Sequence, residues 1–193
     1  MRAITDGPSY RPDPTVGEAL ARFYAVQRLC SDQTARKCRT CGFGPLELTF
    51  PNFEWRKQAI ERHDIHHVLT GYACTLAGEI EMAAWEFGAG PFPDIRATLF
   101  CLPLLAAGAV STPKKTFAAF QRGRWGRTLY GSDLAVLLHR PPGAVQTEIA
   151  PARERPLTVA DALSFGRVMF AAFALAFSPL IAGLVFARIM GLP

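Results

Sequence analysis

Three of the four histidines in this 193-residue chain, His63, His66 and His67, fall within five residues in the segment ERHDIHHVLTG. On a helix His63 and His67 stand one turn apart on the same face, with Asp64 beside them. Two imidazole nitrogens and a carboxylate oxygen can then converge on one cation, which is the ligand spacing of a metal site. Histidine with aspartate suits zinc, iron or manganese, and no thiolate near the helix narrows the choice further. The next acidic residue is Glu79. Along one straight helix it would lie about 18 Å beyond His67, out of ligand reach. A shared site therefore requires the chain to fold back near Gly71 or Gly78.

Other chemistries fit less well. A zincin carries HExxH, in which the glutamate is a general base held at a set distance from metal-bound water, and aspartate is one methylene too short for that role. A phosphohydrolase of the HD type needs a histidine upstream of the HD pair, and none precedes His63. A ferritin-like di-iron site needs Glu-x-x-His on two helices, a pattern the chain lacks. Cys38 and Cys41 form a lone CxxC, half a zinc site at most, and read as ordinary thiols in a loop.

The elements that must position these residues read as helices. Val16, Leu20, Phe23 and Tyr24 recur at helical spacing behind Thr15, a candidate cap, over residues 15–30. Residues 31–52, rich in Gly and Pro, read as a loop. Helices are expected from Phe53 to about Thr70 and from Tyr72 to Phe87, closed by the Gly88–Pro91 breaker. A kinked core helix is expected over 94–110 around Pro103, followed by a basic helical stretch from Thr112 to Leu138 that opens with Pro113. A proline-rich joint, Pro141, Pro142, Pro151 and Pro156, comes next. No strand-like alternation of useful length appears, so the expected class is all-α, with about six helices and a C-terminal apolar helix.

That last helix differs in kind. Val168 to Ala187 is a run without one charge between Arg167 and Arg188, close to the roughly 20 residues that cross a hydrocarbon core. The expected organisation is an irregular arm (1–14), a helical domain (15–150) and a hydrophobic membrane segment (157–193). Arg153, Arg155 and Arg167 precede the segment and Arg188 alone follows, which places the main domain on the cytoplasmic side. Half of the residues are hydrophobic, 19% are charged and the net charge is +5. This excludes a disordered or collagen-like chain. Five cysteines and an opening MRAITDGPSYRPDP without an apolar run argue against a disulfide-stapled secreted fold. The basic residues are not interleaved with an aromatic reading motif, so a membrane is expected as partner and nucleic acid is not.

The arrangement His63-Asp64, two residues, His67, eleven residues, Glu79 resembles the HDxxH-x11-E signature of the Coq4 family of ubiquinone-biosynthesis proteins. The flanking HVLTG (67–71), Gly78 and the RGRWGRTLYGSDLAVLL stretch are similar to the same family. His66 stands where an aromatic residue is usual, Trp125 interrupts the basic segment, and the apolar segment after residue 156 lies outside the family domain. The resemblance implies an all-helical domain binding one divalent metal through His63, Asp64, His67 and Glu79, zinc before iron or manganese. It also implies a polyprenylated aromatic precursor as substrate, oxidative decarboxylation at ring C1, and a place on the inner membrane. The alternative it carries is a non-catalytic scaffold that organises other quinone-biosynthesis proteins. Self-association is left open. Phe100, Leu104, Phe117 and Phe120 are candidate linings for the isoprenoid tail, although plain core is the commoner use of such residues.

Overall fold

The computed structural model describes residues 13–26, 38–43, 46–51, 53–90, 92, 94–150 and 155–190. Most of the expected arm at 1–14, residues 151–154 of the Pro141–Pro156 joint and the last three residues of the C-terminal segment lie outside these residues. Eight helices are described: α1 (Val16–Val26), α2 (Glu54–Thr70), α3 (Leu76–Ala89), α4 (Ile95–Ser111), α5 (Pro113–Arg124), α6 (Leu134–Leu138), α7 (Pro142–Ile149) and α8 (Val159–Ile189). The body of the molecule is helical, as expected. Where a loop was expected, the backbone instead forms a small antiparallel hairpin, β1 (Cys38–Phe43) and β2 (Leu46–Pro51). Cys41 is paired with Leu48 in its register. The CxxC thus sits on a strand of this hairpin.

Local chemistry explains most helix ends. Thr15 and Glu18 cap α1 reciprocally, the Glu18 amide donating to Thr15 Oγ1 at 3.2 Å and the Thr15 amide to Glu18 Oε2 at 3.0 Å. Gly71, at φ 82°, closes α2 in the left-handed conformation and donates its amide to the His67 carbonyl. Thr75 then caps α3 by accepting from the Gly78 amide. Two expectations change here. The basic stretch is not one helix: α5 stops at Arg124, and just beyond it Gly126 passes so close to the Ile149 carbonyl that a Cβ there would lie 1.8 Å from it. The proline joint holds α7, since Pro142 occupies the first helical turn, where its missing N–H costs nothing.

α3 lies at the centre. Ile80, Met82, Ala83, Ala84, Trp85 and Glu86 are all buried, so the helix is covered on nearly every side. It crosses α5 at unusually close range: a Cβ on Gly88 would meet the Phe120 carbonyl oxygen at 2.1 Å, and one on Gly123 would meet that of Trp85 at 2.0 Å. Two glycines facing each other's backbone let the helices touch. Trp85 and Phe120, both fully buried at this crossing, contribute about 1.5–3 kcal/mol each by leaving water.

The first half of α8 belongs to the same core. Met169 and Ala172 are buried, and Phe165 packs edge-on against Phe117 and Phe120 with ring centroids 5.0 and 5.1 Å apart. Asp161, which completes a capping box with Thr158, also pairs with Arg124 of α5 at 3.1 Å. The boundary expected at residue 157 is therefore not a domain boundary. The apolar face beyond it is half covered by α4 and α5. Beyond Leu175 every side chain of α8 that is described is exposed, Phe177, Leu180, Ile181, Phe186 and Ile189 among them. Phe120 lies in the closed core and Phe100 on the surface, so the four candidate tail-lining residues do not line one channel.

Candidate metal centre

α2 and α3 present complementary faces. His63, His66 and His67 occupy positions i, i+3 and i+4 of α2. Glu79 and Glu86, seven residues or about two turns apart, share one side of α3. The chain reverses between them as the spacing required. Gly71 ends α2, and the turn folds back so tightly on α3 that a Cβ at Gly78 would lie 1.9 Å from the Ala73 carbonyl oxygen.

His63, His67 and Glu79 converge. Their ligand atoms all lie within 4.8 Å of one another: His63 Nε2 is 3.2 Å from Glu79 Oε2 and 3.1 Å from His67 Nε2, and His67 Nε2 is 3.5 Å from Glu79 Oε1. Asp64 stands outside this group. It is buried, and its Oδ2 accepts from the Tyr24 hydroxyl at 3.0 Å. His67 is enclosed, with Phe23 of α1 stacked 6.1 Å from it, whereas the side chains of His63 and Glu79 are each 22% exposed. The group is buried on one side and open on the other.

The partners of the far ring nitrogens decide what this convergence means. His67 Nδ1 lies 2.8 Å from the Tyr72 carbonyl oxygen, which can only accept, so Nδ1 carries the proton. His63 Nδ1 lies 3.1 Å from Glu86 Oε1, a carboxylate that again can only accept. Each neutral ring is left with its Nε2 lone pair aimed at the other lone pair and at Glu79. Lone pairs and a carboxylate crowded within 3.5 Å repel unless a proton or a cation lies between them. Imidazoles whose outer N–H groups are held by a carbonyl and a carboxylate have the arrangement that orients histidine ligands on a metal. The donor set fits a divalent cation of the zinc, iron or manganese type.

Without a cation, a proton takes that place. Burial opposes charge on His63, but the carboxylates of Glu86 and Glu79 outweigh it and raise its pKa well above the ordinary value. Glu79 and Glu86 are held well below the usual carboxylate range: burial works against this, and the hydrogen bonds and charge of His63, with those of His67 or His66, prevail. His66 moves the other way. Buried completely, its pKa is lowered despite Glu86, and its Nε2 accepts the Leu129 amide at 2.9 Å.

His66, Glu86 and Tyr130 were not among the candidate ligands. Glu86 was legible in principle from its seven-residue spacing to Glu79. Tyr130, whose hydroxyl donates to Glu86 at 2.7 Å, carries no such sequence signal. Comparison with protein-family models, curated proteins and solved structures returned no match for this chain.

Proposed function

We propose that this protein is a membrane-attached metalloprotein of quinone biosynthesis, acting on a polyprenylated benzoquinone precursor, with oxidative decarboxylation at ring C1 as its reaction and an external two-electron oxidant as co-substrate. The observation that carries the metal reading is the pair of Nε2 lone pairs that meet Glu79 at one point. The substrate reading is supported by the resemblance of His63-Asp64-x2-His67-x11-Glu79 to the Coq4 signature.

A bound divalent ion would act as a Lewis acid toward a substrate carboxylate. His63, His67 and Glu79 would hold it, leaving the exposed edge of His63 and Glu79 as the approach for an aromatic acid. Asp64, the fourth ligand that the resemblance implies, is buried against Tyr24 outside this convergence, so the fourth position is left open to the substrate in this proposal. Phe23 and Tyr24 shield the enclosed side from water. The alternative, a scaffold with a structural metal, calls for a closed four-ligand site. The open edge favours chemistry.

Membrane attachment rests on α8. Residues Val159–Gly183 are long and apolar enough to cross a bilayer, and only 11% of that window is buried. Asp161 and the packed first half hold the start of α8 to the domain, so the part free to enter lipid begins near Ala176. To Ile189 this is about 20 Å of helix, against roughly 30 Å for a full hydrocarbon core. Insertion through one leaflet, with the domain at the cytoplasmic surface, fits that length.

Two measurements test the proposal. Elemental analysis of the purified protein is expected to find about one equivalent of divalent metal, lost in the H63A/H67A double variant; equal metal content in both removes the metal reading. Profiling of quinone precursors in a deletion strain is expected to show rescue by wild type. With Glu79→Gln, a prenylated precursor that keeps its C1 carboxylate should accumulate. Normal ubiquinone from folded, metal-loaded Glu79→Gln protein would transfer the assignment to the scaffold.

A further inference from the structure

Behind the three converging residues lies a carboxylate that touches neither solvent nor the point of convergence. Glu86 is fully buried, and its Oε1 is 3.1 Å from His63 Nδ1, 2.8 Å from His66 Nδ1 and 2.7 Å from the Tyr130 hydroxyl. Oε2 is buried with no hydrogen-bond partner among the described residues. The only ion-pair partners described for this carboxylate are imidazoles.

An ionised carboxylate is costly to bury unless it is compensated. His66 cannot supply the compensation while its Nε2 accepts the Leu129 amide: with Nδ1–H directed at Glu86, the ring is neutral. Tyr130 supplies a neutral donor. With His63 also neutral, as ligation through Nε2 requires, Glu86 and Glu79 together leave two negative charges around one imidazole pair. A divalent cation beyond His63 Nε2 balances them through the ring.

We infer that Glu86 is a positioning residue for the metal centre: through His63 it fixes the ring's tautomer and angle and adds negative charge to the cation, while His66 and Tyr130 hold the carboxylate in place. This rests on the metal reading of His63, His67 and Glu79 and adds to it the residue on which their affinity depends. His66 finds its explanation here. It is a neutral strut between Glu86 and the Leu129 backbone, and its ring packs 5.1 Å from Trp85 and 5.2 Å from Tyr130.

The test is a chelator-competition titration of the full chain with Zn2+, together with the visible spectrum of the Co2+-loaded protein. Glu86→Gln, nearly isosteric, is expected to weaken Zn2+ binding about 10–100-fold. The Co2+ spectrum at saturation should keep its shape, because the ligand atoms are unchanged. Glu86→Asp, which keeps the charge but falls short of His63 Nδ1, should weaken binding less. Affinity within twofold of wild type in folded Glu86→Gln overturns the inference and leaves the metal site standing. Failure of the wild-type chain to bind Zn2+ or Co2+ removes both. A changed Co2+ spectrum makes Glu86 a ligand and overturns the positioning role. Should Glu86→Gln not fold, 15N NMR of the Zn2+-loaded wild type decides: His63 protonated at Nδ1 supports the inference, and protonation at Nε2 overturns it.

Discussion

The polar cluster between α2 and α3 and the outer half of α8 invert the usual distribution of residues. His66, His67, Asp64 and Glu86 are buried, while Phe177, Leu180, Ile181 and Phe186 are exposed. Ordinary folding energetics disfavours both arrangements, since charges are rarely buried unpaired and contiguous apolar surface is rarely left in water. The same physics points each region to a different partner. In the proposal the buried carboxylates facing imidazole lone pairs take a cation, and the bare apolar helix, long and apolar enough to cross a membrane, takes lipid. Between them lies a conventional core, in which α3 and α5 meet through facing glycines.

The largest effect that would sharpen this contrast comes from two truncations. A chain ending at Leu175 is expected to stay folded and metal-binding but to move from the membrane fraction to the soluble one. A chain ending at Pro156 also loses Phe165, Met169 and Ala172. At about 1.5–3 kcal/mol for each large side chain, set against a typical net stability of about 5–15 kcal/mol, it is expected to aggregate. Sedimentation and circular dichroism of the two proteins check this. Equal behaviour would mean that α8 acts as one unit.

A smaller effect separates the core from both regions. Gly123→Ala places a methyl against the Trp85 carbonyl and the Ala89 amide, which are backbone atoms that cannot swing aside. A loss of about 3 kcal/mol is expected, lowering Tm by roughly 10 °C. Because α3 carries Glu79 and Glu86, metal affinity should fall with it. An unchanged Tm in a calorimetric scan would show that the helices can separate at little cost.

The smallest effect is the pH dependence of the metal-free protein. The raised pKa of His63 means that its contribution to stability is complete below the ordinary histidine value of 6.5 and is lost as pH rises through the raised folded value. The lowered values of Glu79 and Glu86 mean that theirs are complete above the ordinary glutamate value of 4.5 and are lost as pH falls from there. His66, whose pKa is lowered, contributes stability that is complete above 6.5 and is lost as pH falls below it, so in chelator thermal stability should peak near pH 6.5 and decline on both sides. Added Zn2+ should raise Tm more at pH 8 than at pH 6, because the cation replaces the shared proton. Metal-free stability that rises steadily from pH 6 to 9 would contradict the cluster's charge balance.

Much of the candidate site was legible because helical spacing is local. His63 and His67 had to share a face once α2 formed, and Gly71 and Gly78 marked the only places where Glu79 could return to them. Thr15 with Glu18 and Pro113 likewise announced their helices. The residues that were not legible act across long sequence separations. Tyr130 reaches Glu86 from 44 residues away, and the Leu129 amide reaches His66 from 63. The hairpin at Cys38–Pro51 was not legible because glycines and prolines interrupt its strand pattern.

By itself the sequence determined the helical class, the histidine face, the return of the chain to Glu79 and the apolar character of the last helix. These follow from the 3.6-residue period, from glycine's freedom at positive φ and from hydropathy, all properties of short segments. Only the tertiary structure decided that Asp64 turns to Tyr24, that Glu86 backs His63, and that α8 divides into a packed half and a bare one. Hydropathy is blind to which neighbour covers an apolar face. The charge of a buried group, in turn, is set by whichever distant segments close around it.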